Sequence, residues 1–279
     1  MITSTLLMLA VGLFAGIMGA ILGIGGGMII TPIITLGLDI KYAIGASIIA
    51  VIATSSGSTI AFLKDGVLNL RVAMFLEIAT TIGAIVGAIL TGIFHPAILY
   101  FLFGSLLIFS SWNMYRKLRS GKEILKRAKP DKWTQKFNLN SSYFDKNLNK
   151  QIDYQVENIP GGLSIMFGAG IASGMLGIGS GAFKVMAMDN AMKMPLKPSS
   201  ATSNLMMGVT AAASASVYFF NGSIKPGIAV PLALGILVGA AIGSRIMQHL
   251  PSRVIRMIFI PILLYLGLQM IFKAFGVTI

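Results

Sequence analysis

The sequence has no cysteine and few of the residues on which soluble enzymes depend. Its 279 residues include two histidines and nine acidic residues, and only 11% are charged, whereas about 25% is usual for a soluble domain. The absence of cysteine excludes disulfides, thiolate metal sites and cysteine nucleophiles. Because so few acidic residues and histidines remain, we expect no metal site and no cofactor.

Apolar residues are abundant and come in long blocks. Hydrophobic residues form 55% of the chain, and the mean hydropathy is +0.82. Most blocks have the length of a bilayer-spanning helix, which predicts an all-α polytopic membrane protein in contact with the lipid bilayer. Residues 4–22 are expected to be a retained helix, not a cleaved signal peptide. The blocks cover approximately residues 4–23, 26–38, 43–62, 70–94, 97–115, 161–179, 181–192, 199–220, 226–248 and 254–273.

The net charge of +13 is concentrated in one polar segment. Eleven of the 22 basic residues lie between Arg116 and Lys150, which indicates a cytoplasmic loop and not a nucleic-acid-binding surface. We therefore predict an N-terminal membrane repeat (1–115), a basic cytoplasmic loop (116–160) and a C-terminal membrane repeat (161–279). The loop is expected to be a linker, and its alternating pattern from Tyr143 to Val156 would also suit a small β-hairpin.

The two membrane halves share an internal repeat. Residues 16–27 (GIMGAILGIGGG) align with residues 170–181 (GIASGMLGIGSG) at an offset of 154 positions. Such a duplication in a membrane chain is typical of transporters and channels built from two structural repeats. Further matches at an offset of 156 are Ser47 with Ser203, Gly66 with Gly222, Gly83 with Gly239, Gly87 with Gly243 and Lys117 with Lys273.

The positions of the charged residues favour inverted repeats. With about five membrane helices in each repeat, most basic residues fall on the inside of a plasma (inner) membrane, as the positive-inside rule requires. With four crossings per repeat, Arg245, Arg253 and Arg256 would lie outside. The inside group is Lys64, Arg71, the basic loop, Lys193, Lys197, Arg245, Arg253 and Arg256, and the outside group is Lys41, Lys225 and Lys273.

A glycine-rich motif precedes a short apolar block in each repeat. Residues 23–27 (GIGGG) and 177–181 (GIGSG) come before blocks of 12 or 13 residues, which as helices span only about 18–20 Å. Irregular backbone at membrane depth is tolerated where it is buried in protein or lines a cavity. Two helix N-termini that face each other there would bind an anion through backbone N–H groups. The alternative is close helix packing, which is the role expected of Gly83, Gly87, Gly239 and Gly243.

The candidate substrate-binding residues follow from these motifs. Lys184 would supply positive charge near the anion, or it would reach a surface or pair with Asp189. Glu77 is either a proton-coupling carboxylate or a partner for Arg71. The hydroxyls of residues 54–59 and 202–204 either contact an anion or bond to helix carbonyls. The full set is Gly25, Gly26, Gly27, Ser47, Gly179, Ser180, Gly181, Lys184, Thr202, Ser203 and Asn204.

Enzyme function is not expected. Ser180 lies between two glycines, and His249 is the one plausible base for it. However, Ser180 occupies the position of Gly26 in the first repeat, which indicates a need for a small residue. His249 falls at a helix end beside Pro251, where a histidine that faces solvent is common.

The motif 23–27 followed by Pro32, its second copy at 177–181 and the two-repeat organisation resemble the TauE/SafE sulfite exporter family. Lys184, Pro195 and the segment Thr202-Ser-Asn204 are similar to one bacterial and archaeal subgroup. The resemblance implies transport of sulfite or organosulfonate anions, often outward. The second copy departs from the pattern, since it has Ser180 in place of the middle glycine and no proline that matches Pro32. The two half-sites are therefore unequal.

Together, these features predict a secondary transporter that exports sulfite or small organosulfonate anions by alternating access. One alternative is an uptake permease for a sulfonate or another small oxyanion. Another, of a different class, is a membrane scaffold that docks a partner through the basic loop. A homo-oligomer is compatible with the sequence.

Overall fold

The fold was obtained as a computed structural model of the chain. It describes residues 2–27, 29–30, 40–90, 96–119, 132–176, 180–220, 222 and 224–276.

The described residues are mostly helical, as predicted. Five helices contain apolar windows long enough to cross a membrane, namely Thr5–Leu22, Gly45–Lys64, Leu70–Gly87, Pro226–His249 and Ser252–Ala274, with a shorter one at Ile159–Gly174. The helices are α1 (Ile2–Leu22), α2 (Ile40–Lys64), α3 (Leu70–Leu90), α4 (Pro96–Arg119), α5 (Lys132–Lys136), α6 (Ile159–Leu176), α7 (Gly181–Met186), α8 (Leu196–Phe220), α9 (Pro226–His249) and α10 (Ser252–Ala274), and a π-helical turn at Ala187–Ala191 continues α7.

The packing of the helices follows the internal repeat. By sequence, α1, α2, α3 and α4 correspond to α6, α8, α9 and α10. The helix α1 packs along α9, and its counterpart α6 packs along α3. The helices α2 and α4 each pack against their own counterparts, α8 and α10. Exchanging the two repeats therefore leaves the set of helix pairs unchanged.

The helices α4 and α10 run antiparallel. Gly104 lies against Ile271, whereas Ile108, further along α4, lies against the earlier residue Gly267. Still further along α4, the Ser111 hydroxyl donates to the carbonyl of Ile260 over 3.1 Å. Antiparallel packing of corresponding helices is what an inverted repeat requires. The side of the membrane on which each end lies stays a prediction.

Glycines allow the closest helix contacts. A methyl group added to Gly83 or Gly87 on α3 would strike the carbonyl oxygens of Phe167 and Ile171 on α6. In the repeat-related helix pair, Gly239 and Gly243 of α9 approach the carbonyl oxygens of Leu13 and Ile17 on α1 in the same way. The expected packing role of these four glycines is confirmed.

One face of α3 carries large apolar side chains outside the protein core. Met74 and Ile78 are 65% and 62% exposed, whereas Leu76 and Thr80 on the other face are fully buried. Exposed apolar faces of this kind on an apolar helix suit contact with lipid tails.

The polar segment forms a β-hairpin that packs on the helix ends. Strands β1 (Ser141–Asp145) and β2 (Lys150–Tyr154) pair antiparallel, with Ser141 opposite Tyr154. The side chains of Leu139, Tyr143, Tyr154 and Val156 are buried in the same apolar cluster as Val67 and Val72. The segment is therefore part of the folded core, and the expectation of a simple linker is wrong for these residues.

Polar contacts bind the hairpin to α2, α8 and α9. The ammonium of Lys197 on α8 lies 2.8 Å from Asp145 at the end of β1, and both side chains are almost fully buried. Lys197 also donates to the carbonyl of Gln248 on α9 over 3.0 Å. The Gln248 amide donates to Asp65, just after α2, over 2.8 Å. We call this end of the molecule the hairpin end.

Asn69 connects the hairpin with both repeats. Its side-chain oxygen accepts the Val72 N–H over 3.1 Å, as a cap at the start of α3. Its amide donates to the Leu139 carbonyl and the Tyr154 hydroxyl over 3.0 and 3.1 Å. The hairpin end therefore includes residues that the charge pattern predicts to lie on one side of the membrane.

Candidate functional site

The first glycine-rich motif is a break in the helical backbone. Helix α1 ends at Leu22, and Gly23 and Gly25 adopt φ angles of 69° and 77°, a left-handed region that favours glycine. Helical hydrogen bonding resumes where the Ile30 N–H donates to the Gly26 carbonyl over 3.0 Å. The predicted break in the first repeat is confirmed.

The second motif separates α6 from α7. Helix α6 ends at Leu176 and α7 begins at Gly181, while residues 177–179, including the candidate Gly179, lie outside the described residues. Ser180 precedes the first turn of α7, and its carbonyl accepts the Lys184 N–H over 3.0 Å. The first turn of α7 therefore starts at the position that the sequence predicted.

The two breaks meet in the structure. A methyl group added to Gly181 would lie 2.6 Å from both the Gly23 carbonyl oxygen and the Cα of Ile24. The hydroxyl of Ser203 on α8 lies 2.8 Å from the carbonyl oxygen of Gly23 and 3.2 Å from that of Gly181. One buried hydroxyl from the second repeat thus bridges the backbone of both breaks.

Several candidate anion donors are engaged in bonds within the protein. The Gly26 N–H donates to the Thr54 hydroxyl over 3.0 Å. The amide of Asn204 donates to the carbonyls of Ala20 and Ser200, each over 3.1 Å. The hydroxyl of Thr202 accepts the Asn69 N–H over 3.1 Å. In this structure these groups join helices.

Two hydroxyls of the candidate substrate-binding set are buried without a hydrogen-bond partner among the residues that the structure describes. They belong to Ser47, which is fully buried against Gly27, and to Ser180, which is 2% exposed beside Gly181. A buried hydroxyl without a partner is unfavourable by about 1–3 kcal/mol. Each break therefore has beside it a polar group that a bound ligand would satisfy.

Lys184 forms a buried ion pair with Glu77. The Lys184 ammonium lies 3.2 Å from the Glu77 carboxylate, and it is fully buried. The Thr210 hydroxyl lies 2.6 Å from this ammonium and donates to the other carboxylate oxygen. The triad spans α3, α7 and α8, so it links the two repeats.

Asp189 and Arg71, which the sequence offered as partners for Lys184 and Glu77, bind other groups. Asp189, on the π-helical turn, forms a two-point contact with the Arg256 guanidinium at 3.0 Å for each bond. Arg71 donates to the carbonyl of Asn138 over 2.9 Å. The alternatives that paired Lys184 with Asp189 and Glu77 with Arg71 are therefore wrong.

Ser180 and His249 do not form a nucleophile–base pair. The His249 ring is exposed at the end of α9, and its Nδ1 lies 2.9 Å from the Arg245 carbonyl oxygen of the same helix. Ser180 is buried at the meeting point of the two breaks. Hydrolysis through these two residues has no geometric basis.

Thr210 is not among the candidate residues predicted from the sequence, although the repeat contains a signal for it. At the offset of 156 positions, Thr210 corresponds to Thr54. Each threonine hydroxyl lies within hydrogen-bond distance of the carbonyl oxygen four residues earlier, at 2.8 Å from that of Ala50 for Thr54 and at 3.0 Å from that of Met206 for Thr210. Both also contact the segment that follows a break, Thr54 at Gly26 and Thr210 at Lys184.

The fold and site define a polytopic helical membrane protein with two repeat-related helix breaks at its centre. The sequence matches the family described as "Sulfite exporter TauE/SafE" over residues 8–270. The chain therefore belongs to the TauE/SafE family of membrane transporters.

Curated relatives match along nearly their whole length. A Bacillus subtilis (strain 168) protein named "Probable membrane transporter protein YunE" is 25% identical, and the match covers 97% of this chain and 98% of the relative. A probable membrane transporter protein of Methanocaldococcus jannaschii is also 25% identical, with 95% of this chain and 94% of the relative covered. No solved structure is significantly similar.

Proposed function

We propose that this transporter exports sulfite or small organosulfonate anions across the plasma membrane, and that it binds them where the two helix breaks meet. The observation that carries the proposal is a pair of buried hydroxyls, those of Ser47 and Ser180, that lie one beside each break and have no hydrogen-bond partner among the described residues. Sulfite oxygens would accept hydrogen bonds from both hydroxyls. Backbone N–H groups at the breaks, such as those of Gly25 and Gly181, would add further donors, whereas the Gly26 N–H would first have to release the Thr54 hydroxyl.

Alternating access would proceed by movement of one repeat against the other. The Ser203 hydroxyl and the contact of Gly181 with Gly23 hold the breaks together in this structure. A rocking motion that separates them would open the site to one side of the membrane. The antiparallel packing of α4 and α10 supports this inverted-repeat mechanism.

Energetics favour export of a monovalent anion. An inside-negative potential drives such an anion outward by about 2.3 kcal/mol per 100 mV, so efflux needs no coupling ion. Uptake would need one, and the direction of flux in vesicles under an imposed potential separates the two functions.

Glu77 is the proposed proton-coupling carboxylate if transport is coupled. Protonation of Glu77 would leave the Lys184 ammonium without its counter-charge and available to an anion. Flux driven by a pH gradient should then disappear in the Glu77→Gln variant. Unchanged pH-driven flux in this variant would exclude coupling through Glu77.

A scaffold function through the basic loop is tested separately. The hairpin is part of the folded core, so a deletion of the whole loop would damage the protein. Replacing the basic residues in 120–131 with serine leaves the hairpin intact. A transporter should keep its anion flux in this variant, whereas a scaffold should lose its partner. The residues to replace are Lys122, Lys126, Arg127 and Lys129.

The main experiment is flux of labelled sulfite in proteoliposomes, competed with sulfate, sulfoacetate and taurine. Ser47→Ala and Ser180→Ala should each raise the KM for sulfite about tenfold, since a hydrogen bond to a charged group contributes about 1.5–3 kcal/mol. Ser58→Ala is the matched control, because Ser58 is also fully buried on α2 but donates to the Thr54 carbonyl over 2.7 Å. Wild-type flux no higher than that of empty liposomes would refute the proposal.

A further inference from the structure

Two apolar side chains lie at the meeting point of the breaks, and neither was a candidate from the sequence. They are Val51 on α2 and Met207 on α8, and each is 1% exposed. They are separated by 156 positions, the same offset that relates Ser47 to Ser203. Val51 and Met207 therefore occupy corresponding positions in the two repeats.

Both side chains contact the glycine-rich backbone directly. A methyl group added to Gly25 would lie 3.3 Å from the Met207 sulfur and 3.3 Å from a Val51 methyl carbon. One added to Gly27 would lie 2.7 Å from Val51, and one added to Gly181 would strike the Met207 sulfur. Met207 thus touches both breaks, and Val51 touches the first.

The spacing along each helix puts a hydroxyl and an apolar side chain on one face. Ser47 and Val51 are four residues apart on α2, and Ser203 and Met207 are four apart on α8, so each pair lies on the same side of its helix. The hydroxyls suit the oxygens of an anion. The apolar side chains are placed to contact whatever group the anion carries besides its oxygens.

We propose that Met207 and Val51 limit the size of the organic group that a transported anion can carry. This inference rests on the proposed transport of sulfite and sulfonates. Sulfite has no carbon chain, whereas an alkanesulfonate must place its chain against these two side chains. Methionine is unbranched and adapts its shape readily, so shortening Met207 creates room for additional methylene groups.

The test measures how a homologous series of sulfonates competes with labelled sulfite in proteoliposomes. Methanesulfonate, ethanesulfonate and propanesulfonate are compared on wild-type protein, Met207→Ala and Met206→Ala. Met206 is the matched control, because it is the adjacent residue on α8, is also 1% exposed and packs in a different apolar cluster. Met207→Ala should lower the inhibition constant of propanesulfonate about tenfold relative to methanesulfonate, since one methylene in an apolar pocket changes selectivity about 10–200-fold.

A second variant, Val51→Met, separates a change in selectivity from a folding defect of Met207→Ala. Val51→Met adds volume at the repeat-related position, so it should weaken the binding of propanesulfonate more than the binding of methanesulfonate. Sulfite flux with the wild-type chain-length profile in both Met207→Ala and Val51→Met would overturn this inference alone. Absence of sulfite flux in the wild-type protein would overturn the proposed function and this inference with it.

Discussion

The ion pair between Glu77 and Lys184 gives a quantitative test of the structure. The two side chains are 10% and 0% exposed, and they lie 3.2 Å apart. Removing one partner of such a pair leaves an uncompensated buried charge and destabilises the protein by about 3–5 kcal/mol. We therefore expect Glu77→Leu and Lys184→Met each to unfold at a lower temperature.

The double variant should recover most of the lost stability. Replacing both charges with apolar side chains leaves no buried charge, and such replacements are often neutral. Without Glu77, the Thr210 hydroxyl keeps an acceptor, because the Met206 carbonyl oxygen lies 3.0 Å from it. In a chain of this size about 1 kcal/mol shifts the unfolding temperature by about 2–4 °C. The single variants should therefore fall by roughly 6–20 °C, and the double variant by about 4 °C or less.

The assay is thermal unfolding of purified protein in detergent, followed by intrinsic fluorescence. A matched control is Lys146→Met, which breaks the ion pair between Lys146 and Asp65. In this pair Nζ and Oδ1 are 3.1 Å apart, and the two side chains are 33% and 30% exposed. Exposed pairs contribute about 0–1 kcal/mol, so this change should be small. Single variants that unfold like the control would contradict the predicted cost of an unpaired buried charge. A double variant that loses as much stability as the two single variants combined would contradict it as well.

Three further predictions concern the hairpin end and the helix packing. Asp145→Asn should destabilise the protein by about 3 kcal/mol, since it leaves the Lys197 ammonium buried without its counter-charge. Chemical unfolding measures this loss, and a change under about 1 kcal/mol would contradict the prediction. Burial raises the pKa of Tyr154 from 10.0 to about 12, against the opposing Asn69 hydrogen bond. The unfolded chain therefore ionises first, and stability should fall as pH rises from 10 to 12. Tyr154→Phe should flatten that decline, and an unchanged profile would exclude Tyr154 as its source. Gly239→Ala should lower the free energy of unfolding by about 1–3 kcal/mol, because the added methyl group overpacks the helix contact. Gly227→Ala on the same helix, where the added methyl group meets open space, should be nearly neutral in the same unfolding assay.

The helices and breaks were predictable because local sequence determines them. The apolar blocks gave most helix positions to within a few residues, although α4 continues to Arg119 and α6 begins at Ile159. The break after Leu22 was predictable because four glycines in five residues disfavour a helix. The contact of Gly181 with the first break followed from the repeat, since two related breaks belong near the same depth.

The partners of the buried charges were not predictable in this way. Glu77 and Lys184 are 107 positions apart, and residues nearer in sequence, Arg71 and Asp189, offered equally good charges. Only the packing of α3 against α8 and the direction of α7 decide between these partners. The hairpin shows the same limit, because its alternating pattern predicts strands but not that Tyr154 is buried against Asn69.

The differences between the repeats indicate how the site is divided. At the first break, Gly26 donates to the neutral Thr54 hydroxyl, and the apolar Ile30 follows one turn later. At the second break, Ser180 replaces the glycine, and Lys184 takes the place of Ile30. Among the described residues that follow the two breaks, a positive charge therefore comes from the second repeat, and Glu77 of the first repeat neutralises it in this structure. In the proposed mechanism, an anion that draws Lys184 away from Glu77 would weaken a contact between the repeats, and this would couple anion binding to the movement of the repeats.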